Sequence, residues 1–196
     1  MAIAIFDFDG TIISRDSLPD FLVQTCGLRA FLLRLPWIIL LRGMALTGII
    51  STHRAKEWVI SSFLKGMRTD DFHRACLQYA SRIPYFVYPA ALEEIRRHQK
   101  EGNEIVIISA SVPDWIRPWA QTVGIQLVEG TELETQNQVL TGRFSTPNCK
   151  GKEKVHRLRR LYPDFASETL YVYGDSTGDK DLLAIADVPH YKPFNK

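Results

Sequence analysis

Cysteine is scarce in this chain. Its 196 residues include only 3, at Cys26, Cys76 and Cys149, with no CxxC pair. That spacing excludes a disulfide framework and a cysteine-built zinc site, and it fits a reducing compartment. Charge of one sign is not in excess either. The formal net charge is +2, and the basic residues are spread along the chain rather than gathered in a block. So weak a balance predicts no nucleic-acid partner. Repeats, low-complexity tracts and flexible linkers are missing, so the chain reads as one globular domain. A hydrophobic share of 45% supplies a core with room for an inserted subdomain. The first residues lack the basic stretch and cleavage site of a secretory signal, and a cytoplasmic location is expected. His53, His73, His98, His156 and His190 show no metal-ligand spacing.

A long uninterrupted apolar run is also missing, though narrowly. Residues 30–50 read AFLLRLPWIILLRGMALTGII. Arg34, Pro36 and Arg42 interrupt them, so no charge-free stretch reaches the roughly 18 residues of a spanning helix. The simplest reading is a helix buried against the rest of the protein. A second lays Ala30–Ile50 on a bilayer as a peripheral contact, arginines toward headgroups. A true span is the third.

What is present is a set of buried strands that end in polar residues. Ile3–Phe6 is a short β-branched and aromatic run that stops at Asp7, as a buried strand would. Residues from about 17 to 100 show helical periodicity with few turn clusters. Ile105–Ile108 and Leu170–Tyr173 are further apolar runs without polar alternation, expected in the middle of a parallel sheet. Between them come a helix opened by Ser111-Val-Pro-Asp114 and closed at Gly124, and short strands at 126–129, 132–134 and 139–144, with Asn137-Gln138 as a turn. A basic helix then runs from near Gly151 to about Leu161. Leu182–Ala186 is expected as a helix and His190–Lys192 as a last short strand. The order predicts an α/β fold: a Rossmann-like, three-layer parallel sheet with right-handed crossovers and a helical insertion after the first strand. The expected division is a core of residues 1–13 and 98–196 and an insertion of 14–97. In such sheets ligands sit beyond the carboxyl ends of the strands. Asp7, Ser109 and Asp175 all fall at such ends.

Asp7-Phe8-Asp9-Gly10-Thr11 sets two carboxylates two residues apart, on the same side of an extended chain. Paired carboxylates repel, and one protonates unless a cation lies between them. Magnesium meets that need and brings a phosphate dianion up to an anionic nucleophile. Gly10 permits a tight turn close to a phosphate, and Thr11 is placed to donate to it or to cap the turn. The string D-x-D-G-T arises by chance in only about 0.2–0.5% of chains this long.

These residues resemble the haloacid dehalogenase-like phosphatases, in the branch that includes phosphoserine phosphatase and carries a helical cap between its first two motifs. Asp7-x-Asp9-Gly10-Thr11 is similar to the first motif and Ser109, closing Ile105–Ile108, to the second. A lysine near Gly151–Lys154 is similar to the third, and Gly174-Asp175-Ser-Thr-Gly-Asp179 to the fourth. The resemblance implies a Mg2+-dependent phosphomonoester hydrolase. Asp7 is the expected nucleophile and Asp9 the acid and base. The expected metal site is formed by Asp7, Asp9 through its carbonyl, and Asp175, with Asp179 as ligand or orienter. Gly10, Thr11, Ser109 and Ala110 are expected on the phosphate, with the lysine neutralising its oxygens. Lys154 shares a helical stripe with Leu158 and Leu161 and is the preferred lysine; Lys152 stays open.

Substrate choice in this branch resides in the cap. Arg15, Asp16 and Ser17 follow the first motif within reach of the pocket mouth, and Asp16 falls where similar phosphoserine phosphatases carry an acid for the substrate ammonium. A plain helix cap explains Asp16 equally well. Arg54 and Lys56 are candidates to hold a substrate anion, though surface exposure is the simpler reading for either. The apolar 30–50 segment resembles caps of relatives that meet membranes, a phosphatidylglycerophosphatase among them. A lipid-phosphate phosphatase and a phosphotransferase with the same residues therefore stand beside the small-ester phosphatase. Oligomeric state is left open.

Overall fold

The computed structural model describes residues 2–194. Strand β1 (Ala2–Phe6) forms the centre of a parallel sheet. The insertion follows as helices α1 (Ser17–Cys26), α2 (Leu28–Leu46), α3 (Thr52–Leu64) and α4 (Thr69–Ala80), a short 3-10 turn, and α5 (Pro89–Lys100). The chain then returns to the sheet as β2 (Glu104–Ile108), α6 (Pro113–Thr122) and β3 (Leu127–Glu129). An antiparallel hairpin, β4 (Leu133–Gln136) and β5 (Val139–Phe144), leads into α7 (Lys152–Leu161), β6 (Thr169–Gly174), α8 (Lys180–Leu183) and β7 (Val188–Tyr191). The sheet order is β3-β2-β1-β6-β7, every pair parallel.

Side-chain alternation along β1 splits the core in two. Ala4 and Phe6 enter one cluster with Ile107, Trp115 and Ile116. Ile3 and Ile5 enter the other with Val155, Leu158 and Leu182. Helices cover both faces, so both sets of side chains are apolar and the expected three layers result. Helix α5 belongs to the first helical layer. Its His98 is fully buried and meets Phe6 edge-on at 6.2 Å.

The remaining helices of the insertion share that core. Phe21 of α1 stacks on Trp115 of α6 at 4.5 Å and meets Phe72 and Tyr79 of α4 edge-on. The hairpin turns at Asn137 and Gln138, whose φ of 52° and 60° is the pairing a tight two-residue turn requires. It leaves the main sheet and straps the insertion. Leu140 N donates to Met67 O, Gly66 N to Leu140 O and Thr69 N to Gln138 O, all at 2.9 Å. Phe144 N donates to Glu57 at 2.9 Å. A Cβ on Gly142 would lie 2.5 Å from Ser61 Oγ, so glycine is what lets β5 approach α3 so closely.

Three expectations need correction. The helix predicted at 182–186 is α8, ending at Leu183, with a 3-10 turn over Thr177–Asp179 ahead of it. The last strand runs over Val188–Tyr191 instead of 190–192, in register with β6. The 30–50 segment is not buried. It lies mainly in α2, where Leu41 is the fully buried residue, because α1 and α3 cover one side and nothing described covers the other.

Candidate active site

Asp7 follows directly on β1, and its backbone N–H donates to Tyr173 O at 2.9 Å, extending the ladder with β6 by one bond. The side chain is buried, and burial pushes its pKa up, opposed by Lys154 and reinforced by Asp179. Lys154 comes from the first turn of α7 and is 2% exposed, whereas Lys152 lies on the outer side of the same helix. The Lys154 ammonium donates to Asp7 Oδ1 at 2.7 Å and to Asp179 Oδ1 at 2.6 Å. Burial alone would lower its pKa, but the two carboxylates outweigh this and the ion stays charged.

Asp179 commits both oxygens. Oδ1 takes Lys154, and Oδ2 accepts from Ser176 N at 3.0 Å and Ser176 Oγ at 2.8 Å, closing a capping box. Burial raises its pKa, Lys154 and these bonds lower it further, and the net direction is down. Asp175 is less constrained. It accepts from Thr11 Oγ1 at 3.4 Å, and burial, Asp7 and Asp179 all push its pKa up. Gly10 has φ of 74°, and a Cβ there would lie 2.3 Å from Asp175 Oδ2. Only glycine therefore suits this position.

Carboxylate oxygens of Asp7, Asp175 and Asp179 lie within 4.8 Å of one another. Lys154 compensates one of three negative charges, and burial first, then repulsion among the acids, hold the pKa values of Asp7 and Asp175 up. An all-oxygen donor set with surplus negative charge fits a hard divalent cation.

Asp9 sits in the turn beyond Asp7, and a small relay orients it. Ser17 N donates to Oδ1 at 3.0 Å, and Ser111 Oγ donates to Oδ2. Ser17 Oγ donates to Ser111 Oγ at 3.0 Å and accepts from Trp115 Nε1 at 3.2 Å. Burial first, then Asp16, raise the Asp9 pKa to about 7, against the lowering effect of Ser111. Ser109 is buried at the end of β2, its Oγ accepting from Ser111 N at 3.2 Å. Ser17 follows the first motif closely in the chain, whereas Ser111 and Trp115 carry no such signal in the linear pattern, because folding brings them to Asp9 from α6 and the turn before it.

Lys56 departs from the simpler of its two readings. Helix α3 carries its ammonium into the site, where it donates to the Ala110 carbonyl at 2.6 Å. Burial lowers its pKa, partly offset by Asp9, Asp16 and Asp7. Expected surface exposure is thus corrected for Lys56, while Arg54 is exposed. Asp16 caps α1, accepting from Leu18 N at 3.1 Å, and still acts on Asp9 through space. Arg15 lies apart, 4.1 Å over the Phe86 ring and 3.8 Å from Asp20. One surface cavity lies away from Asp7. It has about 650 Å3, lies between the start of α3 and the segment before α7, and is lined by Ser51, His53, Phe144, Asn148 and Lys150. Asn148 Oδ1 accepts from Thr131 Oγ1, which also donates to Ala110 O. One hydrogen-bonded layer therefore separates this cavity from Ala110.

Known proteins of the same shape share this arrangement of elements. A haloacid dehalogenase-like hydrolase family model matches residues 4–184. The chain is 31% identical over 197 residues to Protein CicA of Caulobacter vibrioides, covering 96% of this chain and 85% of that one. It is 27% identical to a histidinol-phosphatase of Neisseria meningitidis serogroup C, covering 95% and 88% of the two chains. A substrate-bound phosphoserine phosphatase complex has the same fold, with TM-score 0.70 at 14% identity over 97% of this chain and 85% of that one. A Bordetella pertussis protein of unknown function superposes with TM-score 0.79 at 22% identity, over 93% and 86%. The family match spans nearly the whole chain, and the acids at the strand ends lie inside it. The chain belongs to the haloacid dehalogenase-like hydrolases, as a phosphatase-type enzyme of that family.

Proposed function

We propose that the protein hydrolyses a phosphomonoester with Mg2+ through an aspartyl phosphate on Asp7. The observation that carries this reading is the Asp7 carboxylate at the end of the central strand, bound to buried Lys154 at 2.7 Å and clustered with two further acids. An Asp7 oxygen attacks phosphorus, the bond from phosphorus to the leaving oxygen breaks, and Asp9 gives that oxygen its proton. Water then loses a proton to Asp9 and attacks the same phosphorus. The bond to Asp7 breaks, and inorganic phosphate leaves. An Asp9 pKa of about 7 keeps the proton available near neutrality. Asp7, Asp175 and the Asp9 carbonyl would hold Mg2+, which offsets repulsion between the phosphate and the nucleophile. Asp179 positions Lys154 and the loop after β6. Thr11, Ser109 and the backbone at Gly10 and Ala110 receive the phosphoryl oxygens.

Of the expected insertion 14–97, the helices ahead of α5 serve as a cap, and Lys56 is its contact with the reacting end of the substrate. Relatives named histidinol-phosphatase and phosphoserine phosphatase support a small organic phosphate. The uncovered side of α2 favours a second reading, a lipid phosphate.

A Mg2+-dependent screen over amino-acid, sugar, nucleotide and detergent-dispersed lipid phosphates tests the proposal, with Asp7→Asn alongside. Turnover is expected to stop on chelation and to fall at least about a thousand-fold in the variant. Activity retained by Asp7→Asn would sink the mechanism. Adding an alcohol acceptor and finding a new phosphoester would favour phosphotransfer over hydrolysis.

A further inference from the structure

Helix α2 carries apolar residues on all its sides, with only Arg29, Arg34 and Arg42 charged, a composition that normally marks a helix buried all round. Here it divides cleanly. Phe31, Arg34, Leu35, Ile38 and Leu41 face the protein and are buried or half-buried. On the opposite side Leu28 is 58% exposed, Leu33 82%, Ile39 62% and Leu46 81%, and Ile49 in the following turn is 69% exposed. Eight of the twelve large apolar side chains exposed among the described residues fall between Leu28 and Ile49. Scattered exposed leucines need no explanation, but a continuous apolar strip of about 28 Å, the length of a 19-residue helix, does.

Charge indicates what covers it. From Phe21 to Lys56 there is no aspartate or glutamate, while Arg29, Arg34, Arg42, Arg54 and Lys56 all fall there. Arg34 is already used: it donates to Ser62 O at 2.9 Å and to Ala30 O at 3.2 Å, and lies 4.9 Å over the Phe63 ring, tying α2 to α3. Arg29, Arg42 and Arg54 are exposed. A second copy of this chain docked on the same strip would bring arginines against arginines with no local acid to answer them. Anionic lipid phosphates supply the missing charge, and the acyl boundary accepts the leucines and Trp37, which is 44% exposed. No helix among the described residues is long and apolar enough to cross a membrane, so the contact is one of lying on the surface.

We propose that the uncovered side of α2, continued by the turn through Ile49, seats the protein on an anionic bilayer. Ser51 and His53, which line the wide cavity, begin one residue beyond Ile50, so the seat and the cavity are adjacent. This contact does not depend on which ester Asp7 attacks, or on whether it attacks one.

The test uses the full chain without substrate, sedimented with vesicles of phosphatidylcholine alone or mixed with phosphatidylglycerol. At low salt the protein is expected to pellet with the mixed vesicles and to be released as salt rises. Leu33→Glu combined with Trp37→Glu should weaken partitioning at least about ten-fold. Arg29→Gln and Arg42→Gln should each weaken it on the order of five-fold. Hydrolysis of a water-soluble ester such as p-nitrophenyl phosphate should stay unchanged in all these variants, which separates loss of the seat from loss of the fold. In the wild type, nitroxide-labelled lipid should quench tryptophan fluorescence, a readout that needs no variant. Failure to bind mixed vesicles at low salt, or absence of quenching, overturns the proposal. So does a wild-type dimer in light scattering that ignores vesicles and becomes monomeric in the Leu33→Glu variant.

Discussion

Lys154 carries the largest electrostatic responsibility in the molecule. Its ammonium, 2% exposed, bridges Asp7 and Asp179. Breaking a buried pair by removing one partner costs about 3–5 kcal/mol, because the remaining charge has no water to turn to. Lys154→Met is therefore expected to destabilise the protein by about that amount in chemical denaturation and to lower kcat about a hundred-fold or more. Gly10→Ala should behave differently. The added carbon meets Asp175 Oδ2 at 2.3 Å and sits at a φ of 74°, so about 1–3 kcal/mol of strain is expected, with a higher Mg2+ concentration needed for half-maximal turnover. The D-x-D-G-T string was legible because its members are neighbours along the chain and share one turn. Lys56 and Ser111 were not, since they lie 47 and 102 positions from Asp9 and only tertiary packing delivers them.

Elements were legible where a single face or turn decided them. The parallel strands announce themselves by lacking polar alternation, and the hairpin by Asn137-Gln138. The hairpin's docking on α3 instead of on the sheet leaves no linear trace, because it rests on Gly142 fitting against Ser61. Helix α5 offers a test of how the layers are joined. Its His98 is fully buried, with Nε2 2.8 Å from Tyr173 Oη and Nδ1 2.9 Å from Asn103 Nδ2. Burial, then Arg97, holds its pKa below the ordinary 6.5. The unfolded chain thus takes up a proton near pH 6.5 that the folded protein refuses. Stability is complete above that pH and falls as pH drops from 6.5 toward the folded-state value. Denaturation curves between pH 7.5 and 5 should show the fall, and His98→Gln should flatten this part of the profile.

At the scale of the whole molecule, contacts between the insertion and the core include the aromatic packing around Trp115, the strap of β5 on α3, the bonds of Ser17 to Asp9 and Ser111, and the bond from Lys56 to Ala110. The last two lie at the reacting site. Lys56→Met keeps the aliphatic stem and removes the ammonium, so a rise in KM of about ten-fold or more is expected, with little loss of stability. Equal kinetics in wild type and variant would take Lys56 out of substrate binding. The 30–50 segment shows why composition alone was insufficient: an apolar helix reads the same whether protein or lipid covers its second face. The proposed catalytic mechanism nevertheless turns on Asp7 forming a bond to phosphorus. The most direct measurement is mass spectrometry of enzyme quenched in acid during turnover with Mg2+, followed by peptide mapping. An added phosphoryl group on the peptide containing Asp7, absent in Asp7→Asn, is the predicted result. Steady turnover with no phosphorylated Asp7 peptide at any quench time, or phosphate mapped to another residue, would contradict it.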